Sequence, residues 1–192
     1  MMAKDKYANF EALRKREREG VDFRRCVRDR NVSVAVIAPH GGHIEPKTSK
    51  IAAAIAGETL NLYCFEGTKS NDNETLHITS NNFDEPLCVD LIAKSDVVVA
   101  VHGLGGKGET VHVGGLNSEL RDAVRRSLEQ AGFRAVVDKS GDHAGIRRDN
   151  ICNRGRSKQG VQLEITKGLR DRLNGNLLIQ FADAVRKAIE TR

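Results

Sequence analysis

Short apolar runs recur along the chain, and each is bounded by glycine, proline or a polar cluster. The first of them leads from Asn31 to Pro39 and is rich in β-branched residues. Runs of this composition are typical of strands buried on both faces of a parallel sheet. Further strands are predicted over residues 60–66, 75–80, 96–103, 133–138 and 161–166. In the last of these, strict alternation places Glu164 on the face opposite the apolar side chains.

Segments with helical periodicity separate these runs. Helices are predicted over residues 48–56, 87–94, 117–131 and 176–189, with Gly57 ending the first and Asp84-Glu85-Pro86 starting the second. In the third, Leu116, Leu120, Val124 and Leu128 form one apolar stripe. Alternating strands and helices favour a single α/β domain over residues 1–192, with a mostly parallel or mixed twisted sheet and helices on both faces. Residues 1–30, with interspersed charges, are interpreted as a solvated helical lead-in.

Composition narrows the possible partners. The 192 residues carry a net charge of +5, which is compatible with a nucleic-acid or polyanionic partner. Aromatic residues make up 4% of the chain and tryptophan is absent, which disfavours a stacking platform for single-stranded nucleic acid. No apolar run has the length of a membrane span, and the first residues do not resemble a signal peptide, so we expect a protein made in the cytoplasm. The four cysteines form no CxxC pair and are interpreted as reduced thiols.

Two of the predicted strands end in histidine followed by glycine. His40 follows the first strand and precedes Glu45 by five positions, and His102 follows the fourth predicted strand. Parallel sheets bind ligands at the carboxyl ends of their strands, and a catalytic zinc ion takes three protein ligands with one open position. The three side chains are therefore a candidate zinc site, although ordinary loop histidines explain the spacing equally well. The glycine-rich residues 103–108 lack Walker spacing and are interpreted as a mobile active-site loop.

A set of ordered motifs resembles one enzyme family. The motifs are PHGGHIE at 39–45, FDEP at 83–86, HG at 102–103, VGGLN at 113–117 with ELR at 119–121, NR at 153–154, and GVQLEI at 160–165. Together they resemble the phage poly-γ-glutamate hydrolase family. The resemblance implies a fold similar to zinc carboxypeptidases and zinc-dependent cleavage of γ-glutamyl amide bonds. It also implies that His40, Glu45 and His102 bind Zn²⁺ and that Glu164 is the catalytic carboxylate.

The chain departs from the family pattern at two positions. The pattern usually has glycine at the position of His43 and often histidine at the position of Asn82. His43 is therefore a rival ligand to His40, but an exposed loop imidazole is the favoured interpretation. For His77, His112 and His143 the sequence indicates surface or hydrogen-bonding roles without a part in the site.

A cationic segment over residues 147–172 surrounds the motif that contains Glu164. Guanidinium groups bind carboxylates with two parallel hydrogen bonds, so arginines here suit a polymer with a free carboxylate on every unit. Asn153-Arg154 resembles the carboxylate-binding pair of zinc carboxypeptidases. We therefore expect Asn153, Arg154 and Arg156 to bind substrate, with Arg154 as the first choice.

Two other functions fit the same sequence. One is a zinc amidohydrolase that acts on a different peptide or on an N-acyl amino acid. The other is a basic module without enzymatic activity that binds nucleic acid or an acidic polymer. The family resemblance favours the poly-γ-glutamate hydrolase over both alternatives. In that interpretation the enzyme degrades a capsular polymer and requires neither nucleic acid nor membrane. It leaves the producing cell by host lysis.

Overall fold

Seven strands form one mixed sheet in the order β1-β3-β2-β4-β7-β5-β6. The computed structural model of the chain describes residues 5–139, 141 and 143–191. The strands are β1 (Phe23–Arg28), β2 (Val34–Gly42), β3 (Asn61–Gly67), β4 (Val97–Leu104), β5 (Thr110–Gly114), β6 (Arg134–Val137) and β7 (Val161–Thr166). The helices are α1 (Phe10–Arg14), α2 (Thr48–Ala56), α3 (Pro86–Ala93), α4 (Ser118–Gln130), α5 (Lys167–Arg172) and α6 (Gly175–Glu190). Two 3-10 turns lie at Asn73–Leu76 and Ile151–Asn153.

The centre of the sheet is parallel. Strands β3, β2, β4 and β7 run in the same direction, whereas β1 pairs antiparallel with β3 and β5 pairs antiparallel with β7. The carboxyl ends of β2, β4 and β7 therefore meet at one edge. This edge carries His40, Glu45, His102 and Glu164, the predicted metal ligands and catalytic carboxylate.

Each face of the sheet has its own hydrophobic core. On one face α2, α4 and α6 pack over residues such as Val36, Val99 and Leu163. On the other face α1, α3 and the segment near residue 78 cover Ile37, Phe65 and their neighbours. Helices thus lie on both faces of a mixed sheet in a single α/β domain, as predicted.

Predicted helices with an amphipathic stripe form within one residue of the expected bounds. In α4, Leu120, Val124 and Leu128 are buried, and Leu116 just before the helix is half-buried. Asn117 caps this helix by accepting a hydrogen bond from the backbone amide of Leu120 at 3.0 Å. These helices could be predicted from the sequence because their apolar stripe must be buried against the sheet.

The helical interpretation of the lead-in is wrong. Only the short α1 is helical between residues 10 and 30, and Phe23–Arg28 forms the edge strand β1. One face of β1 is solvated, so charged residues such as Arg24 point outward, where this side chain pairs with Glu66 at 2.5 Å. The mixed charges that predicted a solvated helix therefore belong to a solvated strand edge.

The strand predicted over residues 75–80 is also absent. The chain makes the 3-10 turn Asn73–Leu76 there and continues without regular structure to residue 85. Glu85, not Asp84, caps α3 by accepting from the amide of Cys88 at 3.0 Å. Asp84 instead accepts a hydrogen bond from the amide of Phe10 at 2.7 Å and holds the amino-terminal helix.

Candidate active site

Strand β2 continues beyond Pro39 and ends at Gly42, so His40 lies within the strand and not in the loop that the sequence predicted. The pairing of β2 with β3 shifts register between Ala38 and Gly41, and an irregularity of this kind tolerates proline. The amide of Glu45 then donates to the carbonyl of His40 at 2.9 Å, closing a tight turn. This turn brings the Glu45 carboxylate back over the histidine.

The turn requires glycine at two positions. A Cβ atom on Gly41 would lie 1.9 Å from the Ser49 hydroxyl oxygen. Gly42 has φ +63°, and a Cβ atom there would lie 2.4 Å from the carbonyl oxygen of Gly67. The backbone of β2 thus approaches its neighbours too closely for any side chain.

The three predicted ligands converge. The Nδ1 atom of His40 lies 3.2 Å from Oε1 of Glu45 and 3.2 Å from Nδ1 of His102 on β4. Nδ1 of His102 lies 3.8 Å from Oε2 of Glu45. Both imidazoles are buried. The two strand ends and the turn therefore present two nitrogen atoms and a carboxylate to one point.

The donor set fits a zinc ion. Ligands at about 2.0–2.1 Å from a tetrahedral zinc ion lie about 3.3 Å from one another, close to the two shortest separations here. Nε2 of His40 donates to the carbonyl of Ile78 at 2.8 Å, so in the neutral ring Nδ1 carries the lone pair. That lone pair faces a carboxylate and a second imidazole nitrogen. Such an arrangement is repulsive unless a cation lies between the groups. The hydrogen bond from Nε2 to the Ile78 carbonyl also fits a metal site, because a histidine that binds metal through one ring nitrogen normally donates a hydrogen bond from the other.

The protonation of the cluster is also suited to metal binding. Burial lowers the pKa of His102 to about 3, which keeps this ring neutral. Burial alone would raise the pKa of Glu45, but the charge and hydrogen bond of His40 lower it to about 2. Burial opposes charge on His40, yet Glu45 outweighs it and raises the pKa of His40. A cation that replaces the His40 proton meets an ionised carboxylate and a neutral imidazole.

His77 belongs to the site, contrary to the role expected from sequence. Its ring centroid lies 4.0 Å from that of His40, and its Nε2 atom lies 4.0 Å from Oε1 of Glu45. Its Nδ1 atom lies 2.7 Å from Oδ1 of Asp5, and the Oδ2 atom of Asp5 accepts from the amide of Thr79 at 2.6 Å. The Asp5 contact leaves the Nε2 lone pair of a neutral His77 directed to the cavity.

Two sets of three side chains could therefore hold a cation. His40, Glu45 and His77 place potential ligand atoms within 4.8 Å of one another, and His102 can take the place of His77. We favour His102, because its Nδ1 atom lies 3.2 Å from Nδ1 of His40, close to the tetrahedral separation, whereas Nε2 of His77 lies 4.0 Å from the Glu45 carboxylate. His43 is exposed and lies outside both sets.

Glu164 occupies the neighbouring strand, paired in register with His102. Its strand is buried on both faces, with Leu163 in one core and Glu164 facing the cavity on the other side. Burial, followed by the charges of Glu45 and Asp138, raises the pKa of Glu164 well above its usual range. The side chain accepts a hydrogen bond from Gln162 at 3.0 Å, which fixes its orientation. A buried carboxyl group with a raised pKa, facing a cavity, is a candidate for proton transfer.

These groups share one cavity of 480 Å³. The titratable side chains that line it are His40, Glu45, His77, His102, His143 and Glu164. His112 lies outside and pairs with Asp138 at 3.2 Å. A larger cavity of 750 Å³ lies beside α1 and β1, but its lining contains ion-paired arginines and glutamates and no histidine. The smaller cavity is the candidate active site because histidine and carboxylate side chains converge in it, although its volume is not the largest.

A buried arginine connects the strand ends behind this cavity. Arg170 of α5 donates to the carbonyl of Ile165 at 3.0 Å, to that of Leu104 at 3.3 Å, and to that of Pro46. A Cβ atom on Gly103 would lie 2.7 Å from the guanidinium carbon, which explains the glycine after His102. Sequence reasoning counted Arg170 only as one cation of a charged segment, because nothing local marks it as buried.

The residues expected to bind substrate do not line the cavity. Asn153 is buried and accepts from the amides of Leu116 and Gly160 at 3.2 and 3.1 Å, so its side chain supports loops. Arg154 donates to the carbonyl of Phe83 at 2.6 Å. Arg156 pairs with Asp96 at 2.8 Å, next to the amino end of β4. Residues 154–156 precede β7 and turn toward the amino ends of the strands, whereas Glu164 lies toward the carboxyl end.

Comparison with known proteins identifies the family. The family model described as poly-gamma-glutamate hydrolase matches residues 7–188. The chain belongs to this family. The UPF0714 protein YmaC of Bacillus subtilis strain 168 is 39% identical over 170 residues, which span 87% of this chain and 71% of the relative. The motif resemblance found in the sequence is thus confirmed over nearly the whole chain.

Two solved structures share the fold of this family member. A bacteriophage poly-gamma-glutamate hydrolase superimposes with a TM-score of 0.94 at 32% identity and covers 98% of each chain. A zinc-free apo structure of YndL superimposes with a TM-score of 0.93 at 30% identity, covering 97% of this chain and 98% of that one. No helix in the described part of the chain is long and apolar enough to cross a membrane.

Proposed function

We propose that this protein is a zinc-dependent hydrolase that cleaves γ-glutamyl amide bonds in poly-γ-glutamate. The observation that carries the proposal is the convergence of two imidazole Nδ1 atoms 3.2 Å apart with the Glu45 carboxylate, beside the buried carboxyl of Glu164. Membership of the poly-gamma-glutamate hydrolase family supplies the substrate class. A capsule made of this acidic polymer, reached after host lysis, is the proposed natural target.

His40, Glu45 and His102 would hold the metal. A zinc ion bound there supplies Lewis acidity to the amide carbonyl and lowers the pKa of a bound water. The Ile78 carbonyl keeps the His40 ring oriented with Nδ1 toward the site, and the Gly103 amide donates to Oε2 of Glu45 at 2.8 Å. These hydrogen bonds hold the donor atoms in place before any ligand arrives.

Glu164 acts as the proton carrier in the proposed reaction. It accepts a proton from the attacking water and returns the proton to the nitrogen atom of the leaving amine. Its raised pKa matches this double duty, because the group must hold the proton between the two steps. Gln162 keeps the carboxyl directed toward the cavity through its 3.0 Å hydrogen bond.

The test is incubation of the zinc-loaded protein with poly-γ-glutamate, followed by sizing of the products. We expect the polymer to shorten and a chelator to stop the reaction. Glu164→Gln should keep zinc and lose about 10²–10⁴-fold in kcat, whereas Glu119→Gln on the exposed face of α4 serves as the matched control. A Glu164→Gln variant with a near-normal rate would exclude this role. Cleavage of α-linked peptides without cleavage of poly-γ-glutamate would reassign the substrate.

A further inference from the structure

A second cavity adjoins the active-site cavity. It has a volume of 340 Å³, and its lining includes Gly145, Ile146 and Arg147. Thr79, Asn81 and Asn150 line both cavities. The two spaces are therefore neighbours along one surface, and a chain molecule with its scissile bond in the first can extend into the second.

Arg147 supplies the charge in this second cavity. Among the described residues that line the two cavities, it is the one that carries a guanidinium or ammonium group. Its Nε and one terminal nitrogen donate to the two carboxylate oxygens of Asp149 at 3.0 and 2.7 Å. The Arg147 side chain is 69% exposed and that of Asp149 is 51% exposed, so the pair is weak and can exchange for an external carboxylate.

Ile146 places an apolar surface beside this charge. It is 42% exposed, an unusual degree for a large aliphatic side chain in this protein. A γ-linked glutamyl unit offers two methylene groups in its backbone and a free carboxylate on its α-carbon. An aliphatic side chain next to a guanidinium group matches this combination of methylenes and carboxylate.

We propose that the second cavity is a subsite for the glutamyl unit next to the scissile bond, with Arg147 binding its α-carboxylate. This inference rests on the proposed function. It replaces the assignment of Arg154, whose guanidinium is bound to the Phe83 carbonyl outside both linings. It also makes Arg147 a specificity residue, because an uncharged unit would leave its guanidinium with Asp149.

Arg148 provides a matched control. It is exposed and adjacent in sequence, has the same charge, and lines a different cavity with Leu116 and Lys158. The experiment is steady-state kinetics of the zinc-loaded wild type, Arg147→Ala, Arg147→Lys and Arg148→Ala on poly-γ-glutamate. Unfolding curves of each variant establish that the fold is intact.

We expect Arg147→Ala to raise KM about tenfold, with kcat changed less than about twofold, because a charge-assisted hydrogen bond is lost. Arg147→Lys should recover part of the loss, since an ammonium group cannot form the two-pronged contact. Arg148→Ala should match the wild type. Equal effects of the two alanine variants, with an active wild type, overturn the subsite and leave the proposed function standing. A zinc-loaded wild type that fails to cleave the polymer overturns both.

Discussion

His40 is directed by a single backbone contact. The carbonyl of Ile78 takes the proton of Nε2, so Nδ1 points to Glu45 and His102. The segment that carries Ile78 has no regular secondary structure, and Asp5 holds it through the amide of Thr79. An irregular loop thus decides which nitrogen atom of a strand residue faces the site.

The ligand set can be tested one histidine at a time. If the wild type binds zinc as proposed, at ~1 ion per chain, we expect His40→Ala and His102→Ala to lose it, because each removes one of three donors. His77→Ala should keep the metal, since its Nε2 atom lies 4.0 Å from Oε1 of Glu45, beyond the separation of about 3.3 Å between ligands of a tetrahedral zinc ion. Metal analysis after dialysis measures the difference. Loss of zinc in His77→Ala with retention in His102→Ala would exchange the roles of these two residues.

Glu164 should make the stability of the metal-free protein fall as the pH rises above the ordinary pKa of a glutamate. Its pKa is raised in the folded state, so its favourable contribution to the free energy of unfolding is complete below the unfolded pKa and is lost as the pH rises through the folded pKa. Glu164→Gln cannot ionise. The variant should therefore gain stability relative to the wild type as the pH rises from the ordinary glutamate pKa of about 4.3 through the raised folded pKa of Glu164. Denaturant unfolding of both proteins without metal measures this gap, and a gap that does not widen with pH would contradict the assignment.

At the scale of elements, the site depends on the strand ends staying together. Arg170 donates to carbonyls that follow β2, end β4 and belong to β7, so one side chain joins three elements. The guanidinium is the side chain that can serve several acceptors in a plane at once. Helix α5 is thereby fixed to the edge that carries Glu45 and His102.

Arg170→Met should lower the free energy of unfolding by about 2–4 kcal/mol, because buried carbonyls lose charged donors. Arg170→Lys should restore less than half of this loss. Arg172→Met, on the same helix but exposed and paired with the exposed Glu109, should cost less than about 0.5 kcal/mol. Urea denaturation measures all three. Equal losses in Arg170→Met and Arg172→Met would show that the buried hydrogen bonds do not hold the strand ends.

At the scale of the whole molecule, metal binding should be coupled to folding. The proposed ligands lie in β2, in the turn after it and in β4, so the complete site exists only in the folded sheet. Zinc at about 100 times its dissociation constant adds about 2.7 kcal/mol to a protein that binds it only when folded. For a chain of this size, that corresponds to a rise in Tm of about 5–11 °C. Thermal unfolding with zinc and with a chelator measures the shift, and His102→Ala should show none. An equal shift in that variant would place the stabilising ion elsewhere.

The central elements could be predicted from sequence because their patterns are local. An apolar run buried on both faces identifies β2 and β4, strict alternation identifies β7, and an amphipathic stripe identifies α4. His40, Glu45 and His102 could be selected as candidates for the same reason, since side chains at the carboxyl ends of parallel strands must share one edge. The edge strand β1 was not predicted because one of its faces is exposed, so its sequence has no apolar run.

Contacts between distant segments could be seen only in the tertiary structure. Asp5 and His77 are 72 residues apart, and no pattern in either segment announces their hydrogen bond. Arg154 and Arg147 lie in the same cationic segment, yet the fold binds Arg154 to the Phe83 carbonyl and leaves Arg147 beside the active-site cavity. Sequence periodicity determines which side chains are buried in a strand or helix, because burial of apolar surface repeats with the backbone. Which polar groups then come into contact depends on the paths that the loops take over the edge of the sheet. These paths leave no periodic pattern in the sequence.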